Sequence, residues 1–158
     1  MQRPRHQALV VTLGSTLAGE DAAGYCVHEA LRGMVDARLV YLGTDIFRFS
    51  NVYLGEPRVI VVDAVYAQEL PAGEIIHFAG EEVFSEITDV ATDAHMLGVG
   101  EGLKILEKVM SCFPEELHFV GVSCKQFGHG EMSPEVQRGV EQAAGLIRDI
   151  LTAAPSEP

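Results

Sequence analysis

The strongest pattern in the chain is an unbroken apolar run, Val59-Ile60-Val61-Val62, closed by Asp63-Ala64-Val65. Four β-branched residues in succession, behind the breaker Gly55-Glu56-Pro57, predict a strand buried on both faces of a parallel sheet. Asp63 then stands at the carboxyl end of that strand, the rim at which open α/β sheets bind ligands. The plainer alternative is a carboxylate that caps a turn. Residues 8–13, 37–42 and 117–123 read as strands in the same way. Glu74-Ile75-Ile76-His77-Phe78, behind the turn Pro71-Ala72-Gly73, predicts a strand returning at the sheet edge.

Between these runs the period changes to that of helices. A helix should start near Gly19-Glu20-Asp21, where acidic groups oppose the positive end of the dipole, and bury Ala23, Val27, Ala30, Leu31 and Met34. Residues 45–54, with Ile46, Phe47, Phe49, Val52 and Leu54, suggest a short helix. Residues 79–91 read as acidic and irregular. Thr92-Asp93 offers a cap for a helix running to about Cys112 with a stripe of Leu103, Leu106, Met110 and Phe113. Gly98, Gly100 and Gly102 do not have dinucleotide-binding spacing, and close packing of that helix on the sheet accounts for them better. Ser133-Pro134 reads as the cap and first position of a last helix burying Val136, Val140, Ala143, Ile147 and Ile150.

Strands alternating with helices predict an α/β fold of three layers. A mostly parallel twisted sheet of about five strands carries helices on both faces and one antiparallel edge strand. With 158 residues, 47% hydrophobic, a single domain spanning 1–158 is expected, its folded core at about 7–152 and a frayed tail at 153–158. The net charge of −12 argues against nucleic acid or an anionic membrane as partner. Nothing resembles a signal peptide or a membrane span, so no membrane insertion is expected. Three cysteines without CxxC spacing suggest reduced thiols and a cytoplasmic setting. A monomer is expected.

On this scaffold, Asp21 lies just after the first strand, Asp63 ends the central one, and His95 falls in the first turn of the helix after Asp93. Asp21 and Asp63 should share one rim, and His95 joins them if the edge strand brings the chain back there. Two carboxylates and an imidazole suit a divalent transition metal with open positions for substrate or water. A helix N-terminus also disfavours imidazolium, which keeps His95 able to coordinate. Read bottom-up, acidic residues in first turns are more often capping groups and a lone histidine more often surface or core filler, so spacing alone favours those roles. No serine or cysteine nucleophile with a paired base stands out: Cys26 falls within the first helix, Cys112 ends another, and Cys124 begins a loop. His129, in Gly128-His129-Gly130, is a lesser candidate for substrate contact beside a plain solvent role. Lys125 and Gln126 are unranked possibilities, and His28, His77 and His118 receive no role.

The segments taken together add a resemblance. Residues 13–24, from Leu13-Gly14-Ser15-Thr16 to Glu20-Asp21-Ala22-Ala23-Gly24, resemble the opening motif of the hydrogenase maturation endopeptidases, GxGNxxxxDDGxG. Gly43-Thr44 matches that family's glycine-threonine step, Val61-Val62-Asp63-Ala64-Val65 its central aspartate, and Pro71-Ala72-Gly73-Glu74 its proline-glycine turn. Thr92-Asp93-Ala94-His95-Met96-Leu97 resembles its histidine motif; Phe119-Val120-Gly121-Val122 and Met132-Ser133-Pro134 resemble its closing segment. The series runs in order from about residue 8 to 151. It departs at Gly14-Ser15, where the family has glycine-asparagine, and at Glu20-Asp21-Ala22-Ala23-Gly24, where it has DDGxG.

The resemblance implies an endopeptidase that removes the carboxy-terminal extension of a [NiFe] hydrogenase large-subunit precursor after nickel insertion. Asp21, Asp63 and His95 match the family's metal-binding positions and would be the catalytic set, in an aspartyl-protease-like site without a serine or cysteine nucleophile. Gly43, Thr44 and His129 are candidate substrate contacts. The nickel is expected to arrive with the substrate, and no organic cofactor is expected. Two rival readings are a non-cleaving nickel-checkpoint module that docks the hydrogenase subunit, and an unrelated metal-dependent hydrolase.

Overall fold

The apolar runs form one five-stranded sheet in the order β2-β1-β3-β5-β4. A computed structural model describes residues 6–16, 19–67, 69–90, 94–125 and 131–154, without the side chains of residues 21, 88–90 and 94–97. The strands are β1 (Ala8–Thr12), β2 (Arg38–Tyr41), β3 (Arg58–Val65), β4 (Ile75–Ala79) and β5 (Glu116–Ser123). β3 runs parallel to β1, with Val61 opposite Val11, and parallel to β5, with Asp63 opposite Gly121. β4 lies antiparallel on β5 at the edge, Phe78 opposite Phe119, so the expected mixed sheet is the one observed.

The helices are α1 (Ala23–Leu31), α2 (Phe49–Val52), α3 (Glu82–Val90), α4 (Ala94–Val109) and α5 (Pro134–Thr152). The pleat explains why the central strands read as unbroken apolar runs. Leu9, Val11, Val59, Val61, Leu117 and Phe119 pack into the layer that holds α3 and α4. Val10, Ile60, Val62, Val120 and Val122 pack into the layer that holds α1 and α5. Each strand residue therefore meets a covered face whichever way it points. Burying each of these Val, Leu, Ile or Phe side chains contributes about 1.5–3 kcal/mol.

Several expectations need correction. Residues 79–91 are not irregular: α3 occupies most of them, burying Val83 and Ile87 one turn apart beneath its acidic residues. The chain passes through a 3-10 turn, Gly19–Ala22, before α1 begins, and α1 ends at Leu31. Ala30, on the outer side of α1, and Met34, beyond its end, are exposed rather than part of its buried stripe. The segment after β2 is a 3-10 turn, Ile46–Arg48, leading into α2, with Phe47 and Leu54 exposed. α4 ends at Val109, so Cys112 lies beyond the helix. Its glycines do not meet the sheet. A Cβ on Gly100 would stand 3.0 Å from Ile87 of α3, one on Gly102 would stand 2.6 Å from Ile46, and Gly98 faces open space. The predicted cap at Thr92-Asp93 lies outside the described residues.

The last helix follows its sequence signals closely. Ser133 Oγ accepts the Val136 N–H, Pro134 opens the helix, and all five predicted stripe residues are buried. Gly73, at φ +85°, sits so close to its first turn that a Cβ would fall 2.1 Å from the Glu135 carbonyl oxygen. The proline-glycine turn therefore needs glycine for both conformation and space. At the other end of α5, Arg58 donates to the carbonyls of Ile150 (2.6 Å) and Ala153 (3.0 Å), satisfying groups that a helix C-terminus leaves unpaired.

Arg58 also begins a polar chain that sequence reading missed. It pairs with Glu116, whose Oε2 accepts from His118 Nε2 at 2.8 Å. With its proton on Nε2, His118 presents Nδ1 as the acceptor for His77 Nε2–H, 2.9 Å away. Burial, and then His118, push the His77 imidazole below its ordinary value, against the pull of Glu82. Burial does the same to His28, offset by Glu29 and reinforced by Arg32. A histidine depressed in the fold takes up its proton more readily in the unfolded chain. Its stabilising contribution is thus complete above the unfolded value of about 6.5 and is lost as pH falls toward the folded one. We expect the melting temperature to drop between about pH 7.5 and 5.5, and to drop less in His77→Gln; equal drops would show that His77 carries none of the effect.

Candidate active site

The carboxyl ends of β1, β2 and β3 close together. The Leu13 N–H donates to Val62 O, the Leu42 N–H to Thr12 O, and the Gly14 N–H to Gly43 O, each at 2.8 Å. Gly43 turns with φ +71° and Thr44 is exposed beside it, so two of the three substrate-contact candidates lie on this rim. The Tyr41 hydroxyl donates to the Gly14 carbonyl. Burial first, then Tyr25 and the Asp63 carboxylate, hold that phenol above its usual value, which keeps it a neutral donor. Tyr25 meets Tyr41 edge-on at 5.1 Å and stacks near His28 at 6.0 Å, and His28 Nδ1 lies 3.2 Å from the buried Thr12 hydroxyl.

Asp63 is one residue beyond the last of the four β-branched positions and is 1% exposed. Val61 and Val65 both pack into the layer of α3 and α4, so the pleat points Asp63 toward that layer. Its Oδ1 accepts the Ala64 N–H at 2.8 Å. On the opposite face, Gly24 in the first turn of α1 comes so close that a Cβ would lie 3.5 Å from the Asp63 Cα and 1.9 Å from the Leu13 oxygen. The 3-10 turn that carries Asp21 packs against β3.

α4 has 16 residues, a length of roughly 24 Å, close to that of the eight-residue β5. Its C-terminus feeds β5 at the amino end of the sheet, so its first turn, with His95, lies toward the rim that ends with Asp63. The side chains of Asp21 and His95, and all of His129 and Gln126, lie outside the described residues. Among those described, no group of three or more His, Cys, Asp or Glu side chains is placed to hold a metal. A large cavity of about 860 Å³ opens at the opposite end of the sheet, between the strand starts and the end of α5. Its Arg58 is already engaged by Glu116 and the α5 carbonyls, so it is not the counterpart of the rim.

Sequence reasoning missed the rim's central brace. Glu20, read as a helix-start acid, is 3% exposed. Its Oε1 accepts the Lys125 N–H at 2.9 Å and its Oε2 the Ser133 N–H at 3.4 Å. Lys125 Nζ, weighed as a substrate contact, donates instead to Ala67 O at 2.8 Å. Cys124 is buried with its thiol 3.6 Å from the Glu20 carbonyl oxygen, far from the setting of an activated nucleophile, and no disulfide joins Cys26, Cys112 or Cys124. Glutamate beside Asp21 was the one local signal available; its partners are more than a hundred residues away.

The family model for hydrogenase maturation proteases matches residues 26–150. The chain belongs to that family. It is similar to protein FrxA of Pyrococcus furiosus, 40% identical over 135 residues that make up 84% of this chain and 96% of the relative. Among solved structures it resembles the [NiFe] hydrogenase maturation protease HybD of Thermococcus kodakarensis, with a TM-score of 0.80 and 33% identity over 92% of this chain and 99% of the other. The fold is also that of the hydrogenase maturating endopeptidase HybD of E. coli, with a TM-score of 0.78 and 24% identity over 91% of each chain. This chain shares with these proteases an α/β fold built on a five-stranded, mostly parallel sheet with helices around it. Among the described residues of this maturation protease, no helix is long and apolar enough to cross a membrane.

Proposed function

We propose that this maturation protease removes the carboxy-terminal extension of a [NiFe] hydrogenase large-subunit precursor once nickel is in place. Nickel arrives as part of the substrate and docks on Asp21, Asp63 and His95. The observation that carries this reading is Asp63: a buried carboxylate two residues before the end of the central strand, on the face covered by the helix whose first turn holds His95. Carboxylate and imidazole oxygens and nitrogens are suitable ligands for a divalent transition metal. A metal so held polarises the scissile carbonyl or activates water, which removes the need for a protein nucleophile. Gly43, Thr44 and His129 are proposed substrate contacts around that point, and the protein acts as a cytoplasmic monomer.

The test is to incubate the purified protein with nickel-loaded and nickel-free precursor and weigh the products by mass spectrometry. Only the loaded precursor should be shortened. An intact loaded precursor would point to a checkpoint that docks without cutting, and equal cleavage of both forms would remove nickel from the recognition step.

A further inference from the structure

We propose that Glu20 is a positioning residue for cleavage: its carboxylate holds the turn that carries Asp21 in register with Asp63. The inference rests on the proposed role of Asp21 and Asp63. Glu20 is nearly solvent-free, and a carboxylate in such a place is tolerated only when its oxygens are well bonded. Here the two oxygens serve two separate stretches of chain. One takes the Lys125 N–H at the exit of β5, the other the N–H of Ser133, the residue that caps α5. Ser133 also marks the positive end of a 19-residue helix, which favours an anion.

The same few residues gather in the rest of the rim. Lys125 reaches the Ala67 carbonyl just beyond β3, and the Cys124 N–H donates to Val65 O at 2.8 Å. The turn after β1, the exit of β3, the exit of β5 and the start of α5 are thus tied at one carboxylate and its immediate neighbours. Glu20 and Asp21 are consecutive in a 3-10 turn, whose side chains fan out by about 120° per residue. Anchoring Glu20 therefore fixes the stretch of backbone on which Asp21 stands. Charge and paired acceptors matter here more than shape. Glutamine has the shape of glutamate but sets an NH2 donor against one of the two N–H groups, whereas aspartate keeps both oxygens and the charge on a shorter stem.

The order of the two variants is the test. Cleavage of nickel-loaded precursor is followed for wild type, Glu20→Gln, Glu20→Asp and Asp63→Asn, with kcat referred to molecules counted as folded by near-ultraviolet circular dichroism. We expect Glu20→Gln to lose about 10- to 100-fold in kcat with KM within about twofold, since a misplacement near 1 Å has effects of that size. Glu20→Asp keeps both acceptors and the charge but draws them back by one methylene, so it should lose less kcat than Glu20→Gln, the order opposite to that of a shape-filling residue. Wild-type kcat in Glu20→Gln, or a larger loss in Glu20→Asp than in Glu20→Gln, overturns the proposal. Should Glu20→Gln not fold, Glu20→Asp alone decides, and a loss in it beyond about tenfold overturns it. Cleavage by Asp63→Asn would sink the metal-docking reading itself, whatever the Glu20 variants do.

Discussion

Asp63→Asn should abolish processing of the nickel-loaded precursor while leaving the melting temperature close to wild type. The two halves of that expectation come from different properties of one side chain. Asparagine has nearly the same volume as aspartate and keeps an oxygen that can accept the Ala64 N–H, so the buried position stays filled and bonded. It loses the negative charge and one acceptor oxygen, which are what a docking cation needs. Removing even a group that supports a metal ligand lowers affinity or activity by about 10- to 100-fold, so loss of a ligand should exceed about 100-fold. The measurement is the cleavage rate at saturating precursor, with a thermal melt on the same sample. Retained cleavage in a folded Asp63→Asn protein would remove Asp63 from the reaction.

A large loss of stability should come from Gly24→Ala. Helix interiors ordinarily prefer alanine to glycine by about 0.5–1 kcal/mol. Here the new methyl would fall 1.9 Å from the Leu13 carbonyl oxygen, a backbone atom that cannot rotate away. The start of α1 must lift off the ends of β1 and β3, and overpacking of that kind destabilises by about 2–3 kcal/mol. In a domain of this size the melting temperature should fall by about 4–12 °C. Gly145→Ala is the control: Gly145 is exposed on α5 with nothing near its Cβ position, so the ordinary helix preference should raise stability slightly. If both substitutions shift the melting point alike, the close approach of α1 to the rim is not a constraint on the fold.

The strands were legible because nothing interrupted their patterns. Val59 to Val62 could be placed centrally from composition alone, and Asp63 stood out because it ended that run. α5 was legible from end to end, since Ser133, Pro134 and five apolar positions obey a single period. α3 escaped notice because acidic residues surround Val83 and Ile87, and two buried positions are a faint signal in a nine-residue helix. The end of α1 was misplaced because apolar spacing continues through Met34, although the backbone has already left the helix. Glu20 and His118 were opaque for another reason. The sequence separations between Glu20 and its partners are 105 and 113 residues, and that between His77 and His118 is 41. Local patterns say which face a residue presents, but not which distant backbone will meet it there.

α5 has the further property of being gripped at both extremities, by Glu20 at Ser133 and by Arg58 at the carbonyls of Ile150 and Ala153. It is a beam resting on two supports, one at each end of the sheet. Both ends of the helix are therefore held where isolated helices fray first. The other side of the sheet is joined differently: Gly100 and Gly102 of α4 leave room for Ile87 of α3 and for Ile46.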